Sequence, residues 1–148
     1  MEYEIIYHKQ FKQWITKNTL LAKSLEKLIK VHRKEKLFNL SILYKESNNF
    51  KIIILYKINE CIGFGRSQYN NNKYLISIIH IDKKYRGKGL CKFMIHKLVS
   101  SYPPMSNFIV YVKKNNISAI HCYEFNGFII KNEIKNEYQM ELKTIRNI

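Results

Sequence analysis

The sequence predicts an α+β architecture, one mixed sheet carrying helices on its faces. Three observations predict it. Short stretches of apolar residues alternate or run together at strand length, as in Phe50–Tyr56 and Tyr74–Ile81. Between and around them, four segments repeat apolar side chains at helical spacing. No internal repeat divides the chain, so one unit over residues 1–148 is expected.

Taken in order, Glu2–Tyr7 reads as a short edge strand. Phe11, Trp14 and Ile15 at i, i+3, i+4 mark a brief helix. Thr19 offers an N-cap for a longer helix, with Leu21, Leu25, Leu28, Ile29 and His32 on one face and Lys23, Lys27, Lys30 and Lys34 opposite. Its expected end is near Lys36. Leu37–Lys45 alternates through Phe38, Leu40, Ile42 and Tyr44, an extra strand turning at Ser47-Asn48-Asn49. Phe50–Tyr56 and Cys61–Tyr69, joined at Ile58-Asn59-Glu60, form a hairpin. A turn at Asn70-Asn71-Asn72 leads into the buried strand Tyr74–Ile81. Tyr85-Arg86-Gly87-Lys88-Gly89 then opens a helix with Leu90, Cys91, Met94, Ile95, Leu98 and Val99 on one side. Pro103-Pro104 stops it. A strand at Phe108–Val112, a helix at Asn116–Asn126 ended by Gly127, and a hairpin of Phe128–Ile130 with Tyr138–Leu142 complete the order.

Composition excludes several classes. No run of about 18 apolar residues occurs, so no membrane-spanning helix is expected. The start, Met1-Glu-Tyr-Glu-Ile-Ile-Tyr7, lacks the basic region of a secretory signal, and the three cysteines form no CxxC pair. A cytoplasmic location with free, reduced thiols is therefore expected. The net charge of +15 attracts phosphates in general, yet 22 of the 26 bases are lysine, spread without a dense block. Lys, Ile and Asn share A- and T-rich codons, so codon bias accounts for much of the charge. An aromatic-studded basic sheet and a helix-turn-helix pattern are both missing, which disfavours a nucleic-acid binder. One aspartate and no paired Cys/His spacing argue against a metal site.

The chemistry gathers where the Tyr74–Ile81 strand meets its glycine turn. A helix start leaves backbone N–H groups without partners and places partial positive charge there. Gly87 and Gly89 let main chain approach a ligand, and Arg86 and Lys88 add charge. Such a turn suits a pyrophosphate. By itself, Gly-x-Gly is equally compatible with a bare tight turn. The spacing is neither a Walker loop nor a dinucleotide fingerprint.

A second constellation lies downstream: Asn116, Ala119, Tyr123, Gly127 and Phe128. Together, Arg86-Gly-Lys-Gly89-Leu-Cys91 resembles the Arg/Gln-x-x-Gly-x-Gly/Ala motif of the GNAT superfamily of N-acetyltransferases, and the second set resembles its Asn-x-x-Ala-x-x-x-Tyr-x-x-x-Gly-Phe helix. Ile81 matches the valine that closes the preceding strand, and Tyr138–Leu142 resembles the last strand. The likeness covers residues 50–142 firmly and the first 50 less specifically. It implies a mixed, mostly antiparallel sheet of six to seven strands flanked by about four helices. That sheet splays between its fourth and fifth strands.

The resemblance also implies roles. Main-chain groups of Ile79 and Ile81 would pair with the pantetheine arm of acetyl-CoA. N–H groups of Arg86, Gly87, Lys88, Gly89, Leu90 and Cys91 would hold the pyrophosphate. Asn116 would contact the cofactor or anchor its helix, a reading compatible with a plain N-cap. An amine would attack the thioester directly, with the Ile81 N–H a candidate oxyanion donor and Tyr123 the general acid to the thiolate. An amine with a pKa near ~10 must also lose a proton. The family's glutamate position falls at Tyr111 and its strand-four imidazole positions at Leu75 and Ser77, so no base is assigned. Alternation points His80 to the other side of that strand, a structural place; His121 and Glu124 face solvent, and a water chain to backbone groups, or Glu133 or Glu137, stays open as a base. Cys91 stands where Gly or Ala is usual and reads as packing. Cys122 lacks the Cys–His–Asp setting of a thiol nucleophile. The acceptor, a small molecule or a protein, is set by the region around Lys17-Asn18-Thr19 and by Lys131–Glu137. The basic surface mildly disfavours polyamines as acceptors. A monomer or a homodimer fits equally. The rival reading is a non-catalytic CoA-binding or nucleic-acid-associated module on the same scaffold.

Overall fold

A computed structural model describes residues 1–34, 40 and 49–145. The elements run β1 (Glu2–Tyr7), α1 (His8–Lys17), α2 (Thr19–Arg33), β2 (Phe50–Lys57), β3 (Glu60–Asn70) and β4 (Lys73–Ile81). A 3-10 turn (Lys83–Tyr85), α3 (Leu90–Ser100), β5 (Asn107–Lys113), α4 (Ile117–Phe125), β6 (Ile129–Ile134) and β7 (Glu137–Lys143) follow. Among the described residues this is the expected order. The strand expected at Leu37–Lys45 and the turn after it lie largely outside them.

Among the described residues, seven strands form one sheet in the order β1-β2-β3-β4-β5-β7-β6. Every neighbouring pair is antiparallel except β4 and β5. The helices cover opposite faces. Leu21, Leu25, Leu28 and Ile29 of α2 join Phe11 and Trp14 of α1 over Ile52, Ile54 and Phe64. On the other face Met94 and Leu98 of α3 pack on Ile53, Leu55, Ile62 and Ile81, while Ile120, Cys122 and Tyr123 of α4 pack with Phe108, Val110, Phe128 and Met140. Burying such side chains contributes roughly 1.5–3 kcal/mol each.

Two helix boundaries differ from the sequence expectation. Asn18, not Thr19, occupies the N-cap of α2, and its amide donates to the Trp14 carbonyl at 3.0 Å, closing α1 instead. At the other end α2 stops at Arg33, short of Lys36, because Lys34 turns into the left-handed region at φ 58°. The β3–β4 hairpin turns on Asn71 and Asn72, both at positive φ, which asparagine tolerates better than most residues.

The feature that shapes the centre is in β4. Arg66 pairs with Ile78 and Ser67 with Ile76, so Ser77 is an extra residue, a β-bulge. Past it the sheet opens. The β4–β5 ladder consists of Tyr74 with Phe108 and Leu75 with Ile109, leaving Ile76–Ile81 without a ladder partner in β5.

Candidate active site

A cavity of about 890 Å³ occupies this splay, bounded by β4, the glycine turn, the start of α3, β5 and α4. Its β4 wall follows from hydrogen-bond parity. Asp82 N–H donates to the Ile62 carbonyl at 2.7 Å, which makes the 62/82 position a hydrogen-bonded pair. In an antiparallel ladder such pairs alternate, so Ile79 and Ile81 turn their backbone groups away from β3, toward the gap. Consistent with that, the Arg86 Nε donates to the Ile81 carbonyl at 2.9 Å.

The glycine turn forms the second wall. Gly87 and Gly89 sit at φ 81° and 76°, and a Cβ built on either meets nothing within 4 Å. The sequence argued close approach for these glycines; the backbone adds a left-handed requirement. Phe93 N–H makes the first helical bond, to the Gly89 carbonyl at 3.1 Å. Among the described residues no hydrogen bond reaches the N–H of Gly87, Lys88, Gly89, Leu90, Cys91 or Lys92. These six N–H groups are open on a turn with basic side chains, and Gly87, Gly89, Leu90, Cys91 and Lys92 border the cavity, an arrangement suited to a diphosphate. Arg86 departs from expectation. Its N–H already bonds the Lys83 carbonyl at 3.4 Å, and its Nε holds the end of β4. It braces the turn instead of offering its amide.

Tyr123 projects from α4 into the same cavity. The residue is buried, its ring tilted 58° against that of Phe128 at 5.6 Å between centroids, and its hydroxyl has no hydrogen-bond partner among the described residues. Burial pushes its pKa up, with the Cys91 and Cys122 sulfurs adding to the shift, so the phenol stays protonated at neutral pH. Asn116 caps α4: its side chain accepts from the Ala119 N–H at 3.2 Å, and it also borders the cavity. Asn116→Ala is expected to cost roughly 0.5–2 kcal/mol of stability by urea unfolding, whatever it does to ligand binding.

His80 requires a correction. The Ser77 bulge shifts the alternation, so His80 falls on the same side as Leu75, toward α2. There it stacks with Phe64, places its Nδ1 3.1 Å from that of His32, and borders the cavity. Burial lowers its pKa to about 4, helped by His32 and Arg86 and opposed by Asp82; burial also lowers that of His32. The unfolded imidazole titrates at 6.5, so between there and about 4 the unfolded chain binds the extra proton. Stability is thus expected to fall as pH drops through that window, by an amount on the order of 1–2 kcal/mol that His80→Gln removes. Urea titrations of both proteins at pH 7 and 4.5 check it. His121 and Glu124 are exposed as expected, although His121 reaches the cavity rim; Glu137 reaches it too, whereas Glu133 pairs with Lys114 at 3.1 Å.

The model of the acetyltransferase (GNAT) family matches residues 12–128. The chain belongs to the GNAT family. Streptothricin acetyltransferase A of Bacillus subtilis is 30% identical over 95 residues, covering 62% of this chain and 55% of that protein. The spermine/spermidine N(1)-acetyltransferase of the same species is 28% identical over 101 residues, covering 61% and 66%. The match thus spans between about half and two thirds of these curated relatives. Among solved structures, the PaiA N-acetyltransferase of Thermoplasma acidophilum in complex with coenzyme A superposes with a TM-score of 0.61 at 15% identity, over 97% of this chain and 99% of that one. The ribosomal-protein-S18-alanine N-acetyltransferase of Escherichia coli gives 0.66 at 14% identity, over 99% and 96%. At that identity the likeness concerns the fold: the GNAT sheet, with its parallel fourth and fifth strands, is the one described above.

What sequence reading missed here was contact between residues far apart in the chain. The Cys91 and Cys122 thiols touch, 2.6 Å apart, and no local spacing signals it. The Arg86–Ile81 brace was legible only as a motif arginine five residues after a strand end.

Proposed function

We propose that this protein transfers the acetyl group of acetyl-CoA to a primary amine by direct attack, with Tyr123 protonating the departing thiolate. The single observation that carries the reading is the pairing of unoccupied N–H groups at Gly87–Lys92 with an unpartnered, protonated phenol in one cavity. Bound there, acetyl-CoA would supply a thioester as acyl donor. The N–H groups of the turn would bind its diphosphate, and Lys88 and Lys92 would add charge. The Ile79 and Ile81 amides face the gap where the pantetheine arm would pair, and the Ile81 N–H is the candidate donor to a developing oxyanion. Burial keeps the Tyr123 phenol protonated, so a proton is held in the cavity; the raised pKa makes it a weaker acid, and the transfer is drawn by the negative charge that builds on the equally desolvated sulfur. His32, His80, His121 and Glu137 are the cavity's imidazole and carboxylate proton acceptors, and no one of them is assigned the base.

The acceptor side is the face of β5 and β7 on which, among the described residues, no helix packs. Tyr111 and Glu137 border the cavity there. The similar proteins are named for streptothricin and for spermine, both amine-bearing small molecules. The net charge of +15 opposes a polycation at long range, but a local carboxylate such as Glu137 receives an ammonium at contact distance. A screen of polyamines, aminoglycoside-like amines, aminoacyl amines and peptide N-termini, read out by free thiol released from acetyl-CoA, tests the proposal. Thiol release dependent on an amine is expected. Binding of acetyl-CoA without release toward any class would instead favour the non-catalytic module.

A further inference from the structure

Two of the three cysteines meet inside the cleft. Cys91 lies in the first turn of α3, within the diphosphate-binding turn, and Cys122 lies on α4 next to Tyr123. Their sulfurs are 2.6 Å apart, and both residues line the cavity. Neither sulfur has another hydrogen-bond partner among the described residues, and both are free thiols. Cys61 is separate: buried in the α2-side core, its thiol donates to the Gly63 carbonyl at 3.4 Å.

We propose that Cys91 and Cys122 form a reversible disulfide that closes in the empty cleft and is opposed by bound acetyl-CoA. The second half of this statement rests on the acetyl-CoA reading above; the first half does not. Cys91 is the attacking sulfur. It sits at a helix start, where backbone N–H groups and the helix dipole favour a thiolate, with Lys92 next in sequence and Lys88 three residues before it. Its hydrogen bond with Cys122 also lowers its pKa, while the same bond and burial raise that of Cys122. Cys61, by contrast, is pushed up to about 12 by burial and stays inert.

The oxidant is a hydroperoxide. The Cys91 thiolate attacks one peroxide oxygen; an S–O bond forms, the O–O bond breaks, and the alcohol or water leaves with a proton. The Cys122 thiol then attacks the sulfenic sulfur; the S–S bond forms, the S–O bond breaks, and water leaves. Two thiols lose two electrons and two protons, and the peroxide gains both. Touching thiols favour this second step over further oxidation of Cys91. In a reducing compartment such a bond is a transient sensor, not a staple.

Acetyl-CoA opposes the reaction because its arm would lie over these sulfurs on the way to Tyr123. The coupling is reciprocal, so the oxidised form should bind acetyl-CoA more weakly by the same factor that acetyl-CoA shifts the thiol–disulfide equilibrium.

The full chain is treated with hydrogen peroxide, quenched, unfolded, and its thiols counted, with peptide mapping by mass spectrometry. Thiols should fall from three to one, with Cys91 joined to Cys122, and dithiothreitol should restore all three. Cys122→Ser should leave no intramolecular bond and instead carry sulfenic or sulfinic acid at Cys91. Repeating the oxidation with saturating acetyl-CoA, saturation being checked by calorimetry, should slow the loss of thiols at least about fivefold. Three thiols remaining, or Cys61 in the bond, would overturn the disulfide, whatever the protein binds. A normal disulfide formed equally fast in the saturated protein would overturn the competition alone. Absence of any calorimetric binding would count against the acetyl-CoA reading and leave the disulfide to the thiol count.

Discussion

Gly89→Glu is expected to weaken acetyl-CoA binding at least about 100-fold, close to 2.7 kcal/mol, while the protein stays folded. Two costs add. Gly89 sits at φ +76°, where a residue with a Cβ pays roughly 1–2 kcal/mol of backbone strain. The new carboxylate also projects into open space beside the N–H groups that would hold a diphosphate, and competes for them. Gly89→Ala separates the two costs. Its Cβ meets nothing within 4 Å and brings no charge, so it should lose about 1 kcal/mol of stability and little affinity. Calorimetric titration of the three proteins, with thermal unfolding alongside, reads both quantities. Equal affinity in wild type and Gly89→Glu would mean that the diphosphate does not rest on this turn.

Tyr123→Phe carries the second large effect. The ring stays in its packing against Phe128, and the lost hydroxyl had no partner among the described residues, so Tm should not fall. Turnover on the acceptor found by screening should drop at least about 100-fold, the low end for removing a proton donor. Affinity for acetyl-CoA should change less than about threefold, because the hydroxyl acts on charge that appears only as the thioester breaks. A fall in kcat with constant Kd is the signature; full activity would remove the phenol from the mechanism.

Much of this was legible because each signal was local. The order of strands and helices followed from apolar period, from the asparagine turns at 59 and 70–72, and from Gly127, which adopts φ +94° as a helix-ending glycine does. The glycine turn and the Asn116–Phe128 helix were legible as motifs because function constrains residue type at fixed spacing within each. The rest needed the third dimension. Nothing in Leu75-Ile-Ser77-Ile announces a bulge, yet that one extra residue reverses which face His80 shares and opens the gap beside Ile79 and Ile81. Asn18 and Thr19 are both good N-caps in isolation; Asn18 holds the position while its side chain makes no cap bond to α2 and instead donates back to the Trp14 carbonyl of α1. Cys91 read as a small packing residue because the partner that gives it chemistry lies 31 positions away.

The measurement that bears most directly on the account is a crystal structure of the complex with coenzyme A. The diphosphate oxygens should lie within about 3.2 Å of N–H groups between Gly87 and Lys92, and the thiol sulfur within about 3.5 Å of the Tyr123 hydroxyl. A diphosphate bound elsewhere, or a phenol more than about 6 Å from the sulfur, would contradict it.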